Sequence, residues 1–187
     1  MRTALSVLLL ALVAMAVLHY GSLGERMLPR VDLPENSDYY LRRATVRQMN
    51  PQGLLAYRMD VTESLHFPDD TSELTDIDVH YMGGSDADDA AASGEWILHA
   101  DHGHVPPGQE EILLRDNVSA TMRRDDGDNV KIETDEAWIR PNRNRIETES
   151  RVTARSGART AQGTGMTVFL EDDRLKLHND VSVRYEP

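Results

Sequence analysis

Apolar and polar residues alternate along much of the chain over residues 39–187, which is the pattern of half-buried β-strands. The alternation is clearest in residues 130–134 (VKIET) and 181–185 (VSVRY). Residues that favour turns separate such stretches, as in residues 125–128 (DDGD) and 141–144 (PNRN). Short strands at this spacing predict an all-β domain, built as a sandwich, a barrel or a stack of strands.

Part of this pattern repeats along the chain. Residues 112–120 align with residues 146–154 at an offset of 146 − 112 = 34, and residues 175–183 continue the series at an offset of 175 − 146 = 29. Each copy ends in Val, then Ser or Thr, then Ala or Val. One such unit cannot bury its apolar face alone, whereas stacked units can enclose a continuous apolar interior between two sheets.

An uncharged apolar segment precedes the predicted domain. Residues 4–20 contain no charged side chain, and Arg2 lies before them. A helix needs roughly 17–25 apolar residues to span a bilayer, so residues 1–21 are predicted to form an N-terminal transmembrane helix. Residues 22–38 are predicted to be a linker, because they contain Gly and Pro and lack periodicity. The alternative is a signal peptide cleaved at residues 14–16 (AMA). With either segment, the rest of the chain is expected to be exported.

The composition disfavours several classes of function. The formal net charge is −12, and an acidic domain without a basic stripe repels nucleic acid. Cysteine is absent, which removes Cys-based catalysis, Cys-ligated zinc and disulfide frameworks. No nucleophile, zincin or phosphate-loop motif occurs. We therefore expect neither an enzyme nor a cofactor.

One short cluster contains residue types that bind metal ions. His99, Asp101, His102 and His104 fall within six residues, and such side chains can bind Zn²⁺ or Cu²⁺. On an extended strand His102 and His104 share one face while His99 lies on the other, so a bulge would be needed to bring them together. An exported metal-binding protein using His99, His102 and His104 is therefore the alternative function, and the leading prediction contains no metal site.

Several short motifs follow the apolar segment in a characteristic order. They are residues 50–59 (NPQGLLAYRM), 96–103 (WILHADHG), 117–118 (NV), 134–135 (TD) and 163–166 (GTGM). In their order and spacing, and in the N-terminal segment, the chain resembles the LptC family, the bitopic inner-membrane subunits of the lipopolysaccharide transport system of Gram-negative bacteria. The chain departs from the family pattern at Asp116, where a Gly is expected.

The resemblance implies a fold, a location and partners. The fold would be an all-β open β-jellyroll, a V-shaped two-sheet stack of antiparallel strands in the periplasm, preceded by a single-pass anchor in the inner membrane. The domain would receive lipopolysaccharide from the LptF–LptG extractor, which the LptB ATPase drives, and pass it to periplasmic LptA. If the anchor is cleaved, the chain would instead be a soluble shuttle resembling LptA.

Two edges of the jellyroll are expected to meet these partners, because the jellyrolls of the family join edge to edge. The LptA-side edge would contain Val181, Val183 and Tyr185. The LptF–LptG-side edge would contain Gly53, Tyr57 and Met59.

The resemblance also implies an apolar slit for the acyl chains of lipopolysaccharide. Inward-facing aliphatic side chains would line it while the sugars remain in water. The alternative is that the same side chains fill a closed core. The predicted lining residues are Leu98, Ala100, Ile112, Leu114, Val118, Ala120, Ile132, Ile146, Val152, Met166, Val168, Leu175, Leu177, Val181 and Val183.

Overall fold

The computed structural model describes residues 36–50, 52–82, 95–123 and 129–185. Within these ranges the chain forms nine β-strands and one short 3-10 helix, which is Pro141–Arg143. The strands are β1 Tyr39–Met49, β2 Leu55–His66, β3 Ser72–Met82, β4 Glu95–Val105, β5 Ile112–Arg123, β6 Val130–Arg140, β7 Arg145–Ser156, β8 Arg159–Phe169 and β9 Arg174–Tyr185.

The nine strands form one antiparallel sheet in which each strand pairs with the next in the sequence. β1 and β9 are therefore paired on one side only, and the sheet has two open edges. The predicted all-β, open antiparallel jellyroll is confirmed. The two layers of the stack are two parts of the same folded sheet.

Each strand bends near its middle. From β4 to β9 the register between neighbouring strands shifts at the same level of the sheet, for example between Arg115 and Val118 and between Thr134 and Trp138. The pairs from β1 to β4 keep their register there, although one residue pair is missing from each ladder. Several residues at this level have a left-handed backbone, including Asp76 with φ 54° and Asp180 with φ 51°. Asp, Asn and Gly tolerate that conformation better than other residues, and bulges increase the local bend of a strand. We call this line of bends the crease.

The crease divides the sheet into two arms. The first arm contains residues 39–42, 63–66, 72–75, 102–105, 112–115, 138–140, 145–148, 166–169 and 174–177. The second arm contains residues 44–49, 55–61, 77–82, 95–99, 118–123, 130–134, 152–156, 159–162 and 181–185.

The repeat seen in the sequence follows the crease. Its recurring Val residues, Val118, Val152 and Val181, are the first inward-facing residues of the second arm in β5, β7 and β9. Asp116, the departure from the family pattern, has φ 61°, a conformation that glycine adopts without strain. Asp is among the few other residues that adopt it, which explains how the crease accommodates the substitution.

The two arms enclose one hydrophobic core. Buried side chains from the first arm, such as Leu114 and Ile146, belong to the same cluster as Ile77, Leu98 and Ile132 from the second arm. Space is limited near the crease: a Cβ added to Gly103 would come within 2.6 Å of the Cδ1 of Ile77. The last glycine of the motif that begins at Trp96 thus has a packing role.

Parts of the predicted domain organisation lie outside the described residues. These are the anchor at residues 1–21 and most of the linker at residues 22–38. Among the residues that the structure describes, no helix is long and apolar enough to cross a membrane. The boundaries of the anchor, the linker and the domain at 39–187 therefore stay predictions.

The left-handed conformation at the crease leads to a prediction for Asp116. Replacement by Val should lower the free energy of unfolding by about 1–3 kcal/mol, because a β-branched residue is strained at φ 61°. Replacement by Gly should change it by less than about 1 kcal/mol. Urea unfolding of the two variants checks the difference. Ser119→Val, three residues along the same strand, is the control for adding a Val, and an equal loss in it would contradict the explanation.

Candidate functional site

The interior between the two arms is the candidate site, and most of the predicted lining lies there. Of the predicted lining residues, Leu175 and Leu177 are half-buried against the core, whereas Val181 and Val183 are 52% and 68% exposed. The buried members of the predicted set are Leu98, Ala100, Ile112, Leu114, Val118, Ala120, Ile132, Ile146, Val152, Met166 and Val168. Their contact with lipid stays a prediction.

Sequence reasoning missed the N-terminal part of the interior. Met59 and Val61 on β2 and Leu74, Ile77 and Val79 on β3 are all buried in the core. Alternation could have found β3, but the bend at the crease changes its phase, so that Leu74 and Ile77 both face inward although they are three positions apart. These strands also lie outside the repeat, which guided the choice of the other lining residues.

The apolar inner face continues onto both edge strands, where it is exposed. On β1, Leu41 pairs with buried Ser64 and is 46% exposed, and Val46 pairs with buried Met59. On β9, the exposed Val183 pairs with the half-buried Ala161. The apolar inner face is thus buried in the middle of the sheet and accessible at the two edge strands, β1 and β9.

Between the arms the interior is nearly full. A cavity of about 20 Å³ lies among side chains of the second arm, which include Tyr81 and Leu98, and residues on the opposite side, which include Ile139 and Leu170. A space of that size holds about one water molecule. This cavity is too small to hold an acyl chain.

Two hydrogen bonds connect the tips of the arms. The hydroxyl of Tyr81 donates to Oδ1 of Asn144 at 2.8 Å, and Nε1 of Trp96 donates to Oδ1 of Asp173 at 3.0 Å. Tyr81 and Trp96 lie on the second arm, whereas Asn144 and Asp173 lie in turns at the end of the first. The side-chain amide of Asn144 also donates to Glu171. We call these contacts the tip contacts.

Burial perturbs the phenols at this end of the interior. Desolvation, and then the charge of Glu171, raise the pKa of Tyr81 to about 12. Desolvation also raises the pKa of Tyr57, another residue that lines the cavity. Both phenols are therefore kept neutral, and the Tyr81 hydroxyl retains its proton for the bond to Asn144.

The predicted N-terminal edge was wrong. Tyr57 and Met59 lie on β2, which pairs with β1 on one side and β3 on the other, and Met59 is buried. Gly53 lies in the turn between β1 and β2. The open edge is β1, which precedes the motif of residues 50–59 and pairs with β2.

The predicted C-terminal edge residues lie on an open edge. Val181, Val183 and Tyr185 are all on β9, and all three are exposed. Each points to the same side as Leu175 and Leu177, since inward and outward side chains alternate on either side of the bend at Asp180. Their contact with a partner stays a prediction.

The structure does not bring His99, His102 and His104 together. His99 contacts Asp78 at 3.1 Å, whereas His104 contacts Glu73 at 2.8 Å on the first arm. The crease lies between them, and the bulge there does not turn the ring of His99 towards the other two. The oxygens of Asp76 and Asp78 and the ring nitrogen of His99 do lie within 4.8 Å of one another on the outer face.

Fold and interior together define the class of the protein. It is an open β-jellyroll whose apolar interior reaches the surface at two unpaired edge strands. The chain belongs to the LptC-related family of lipopolysaccharide-assembly proteins, whose model matches residues 5–186. The predicted resemblance is confirmed. The chain has a role in lipopolysaccharide transport, and its family consists of transport proteins, not enzymes.

A solved structure of another transport protein is similar over most of the chain. It is LptH of Pseudomonas aeruginosa, described as the LptA-homologous periplasmic component of the lipopolysaccharide transport device. The identity is 8%, the TM-score is 0.49, and the similarity covers 82% of this chain and 100% of the other. No curated protein sequence gives a match.

The raised pKa of Tyr81 predicts a loss of stability in alkali. Because its pKa is about 12 in the folded chain and about 10 in the unfolded one, ionisation favours unfolding. Its contribution is complete below about pH 10 and is lost as the pH rises through about 12. In this pH range the free energy of unfolding of the native chain should fall by about 2 kcal/mol more than that of Tyr81→Phe.

Urea unfolding at about pH 9 and about pH 12 measures this difference. Tyr185→Phe, which removes an exposed hydroxyl from β9, is the matched control. Equal alkaline losses in the native chain and in Tyr81→Phe would contradict the assignment.

Proposed function

We propose that the chain is a non-enzymatic conduit subunit, anchored in the inner membrane with its jellyroll in the periplasm. It accepts lipopolysaccharide from LptF–LptG at β1 and passes it at β9 to an LptA-like partner. The observation that carries this proposal is the inner face itself, which is apolar from one open edge of the sheet to the other.

The chemistry of this face suits acyl chains. Its buried side chains are largely aliphatic, and no buried side-chain nitrogen or oxygen of the described residues lacks a hydrogen-bond partner. Each CH₂ group that leaves water for such a surface is stabilised by about 0.8 kcal/mol. A lipid with several acyl chains therefore gains much more from entering than any single polar contact at the tips provides.

Loading requires the arms to separate at their tips. Opening breaks the bonds Tyr81–Asn144 and Trp96–Asp173, each of which contributes about 1 kcal/mol net. Acyl chains then replace contacts between the two arms, so much of the lost core packing is regained. The tips would open when lipid arrives and close after it leaves.

Direction and attachment come from the ends of the domain. β1 follows the predicted linker and anchor, so it is the edge nearer the membrane along the chain, and β9 lies at the other end of the sheet. The family match begins at residue 5 and so includes most of the apolar segment. This order supports entry at β1 and exit at β9, with LptB supplying energy from the cytoplasm.

Photocrosslinking in cells tests the conduit. A photoreactive residue is placed in turn at Leu41 on β1 and at Leu177 and Val183 on β9, which are inward-facing positions on the two edge strands. Adducts containing lipopolysaccharide are expected at all three positions. Lys131 and Arg155, on the outer face of neighbouring strands, should give none. Absence of lipid at every inner position in a folded, exported chain would contradict the proposal.

Crosslinking the tips tests the need for opening. Because the chain contains no cysteine, Tyr81→Cys with Asn144→Cys introduces one pair, which a short bis-maleimide can join across the arms. The joined chain should lose most of its lipid adducts at Leu177, since the arms can no longer separate. Lipid capture is measured before and after treatment with the reagent.

A matched pair controls for the reagent itself. Lys131→Cys with Arg155→Cys joins directly opposite positions of β6 and β7 within one arm. Joining this pair should leave lipid capture unchanged. Full capture with the tips joined would mean that lipid enters without separation of the arms.

A further inference from the structure

Both edge strands are basic in a chain whose net charge is −12. β1 contains Arg42, Arg43 and Arg47 and no acidic residue. β9 contains Arg174, Lys176 and Arg184 and a single acidic residue. The acidic excess therefore lies elsewhere, and the two edges left open by the sheet have the same sign of charge.

Most of the cations on the inner strands that the structure describes are matched by carboxylates. Arg115 on β5 contacts Glu136, its directly paired residue on β6, at 3.3 Å. Glu133 on β6 contacts Lys131 on its own strand at 2.8 Å and also Arg155 on β7. Within the sheet, neighbouring strands thus supply the countercharge.

β9 lacks such a neighbour. Its only paired strand, β8, has the sequence RTAQGTGMTVF and contains no Asp or Glu. Arg174 reaches Asp172 in the preceding turn at 3.4 Å, with both side chains well exposed. Lys176 makes no ion pair with any residue that the structure describes. A carboxylate opposite Lys176 can therefore come from the open side of β9 but not from β8.

The cations of β9 lie on the outer face of the sheet. Arg174 and Lys176 alternate with the inward-facing Leu175 and Leu177, and Arg184 follows the inward-facing Val183. In a strand added to this edge, residues directly opposite these cations would have Cβ atoms about 4.5–5.5 Å from theirs, on the same face of the sheet. Opposite charges at such positions stabilise strand pairing, and like charges destabilise it.

We infer that the β9 edge selects a protein strand with carboxylates on its outer face and apolar side chains on its inner face. This inference rests on the proposed function, since it describes the partner that would dock at the exit edge. The apolar side of that strand would continue the inner face beyond Val183.

The same charges exclude a second copy of the chain. Joining copies end to end would place β1 of one against β9 of the other, with Arg42 and Arg47 near Arg174, Lys176 or Arg184. Open edges with an apolar face are sites of aggregation, and charged side chains are one means of protecting them. The two basic edges therefore keep copies apart while leaving each edge available to an acidic strand.

Reversing the charge of one edge strand tests the inference, because the acidic edge of one copy can then pair with the basic edge of another. In one variant β1 is made acidic by Arg42→Glu, Arg43→Glu and Arg47→Glu, which presents β9 of another copy with the strand that it should prefer. In a second variant β9 is reversed instead, by Arg174→Glu, Lys176→Glu and Arg184→Glu. A third variant combines both sets, and circular dichroism establishes that each variant is folded.

Sedimentation of the full-length chains in a neutral detergent measures their association. Either single reversal should strengthen self-association about tenfold or more relative to the native chain, and the combined variant should not associate. Raising the salt concentration to about 1 M, where the screening length is about 3 Å, should weaken the association. The control variant Arg123→Glu, Arg143→Glu, Arg151→Glu makes the same change in net charge away from the edge strands and should behave as the native chain does.

Two outcomes would overturn the inference. Self-association of the native chain as strong as that of the reversed variants would make a second copy the natural occupant. Folded single-reversal variants that do not associate would mean that charge does not select the strand at this edge. The lipid crosslinks at Leu41, Leu177 and Val183 are read independently, so failure of the edge inference and failure of the conduit are distinguishable.

Discussion

The bend in the middle of every strand is the constraint on which the rest of the structure depends. Without it, a nine-stranded meander would be an extended sheet with one apolar face in water. Left-handed residues such as Asp116 and Gly165 fold that sheet along one line, so its apolar face closes on itself. The core, the tip contacts and the exposed ends of the interior all follow from this fold.

Leaving the edges open has a cost that the sequence offsets by other means. An unpaired strand beside an apolar face invites aggregation, and a closed barrel would remove that hazard. A barrel would also separate the interior from any neighbouring protein. Here the edges stay open, Val183 and Leu41 stay exposed, and basic side chains on the outer face limit which strand can add.

The sequence predicted the C-terminal part of the fold better than the N-terminal part, for a physical reason. In β5, β7 and β9 the repeat places its Val on the same side of the bend, so inward positions such as Val118 and Val152 could be identified. In β2 and β3 the bend changes the phase of alternation, and β1 has exposed residues on both faces because nothing covers it. Alternation alone does not show which strand lies at an edge of the sheet, so the sequence predicts the edge at β2 and not at β1. The tip contacts join residues 63 and 77 positions apart, a separation that no local pattern reveals.

A conduit needs an interior that is stable when empty and does not hold its cargo too tightly. Without lipid, the interior of this chain is packed by its own side chains. The cavity lined by Tyr81, Leu98 and Leu170 has a volume of about 20 Å³. In the proposed conduit, entry of an acyl chain would exchange one set of apolar contacts for another and expose little apolar surface to water. The same exchange in reverse allows the lipid to leave. Aliphatic side chains on both arms would make that exchange nearly symmetrical, so in the proposed conduit the direction of transport would come from the proteins that dock at the two edges.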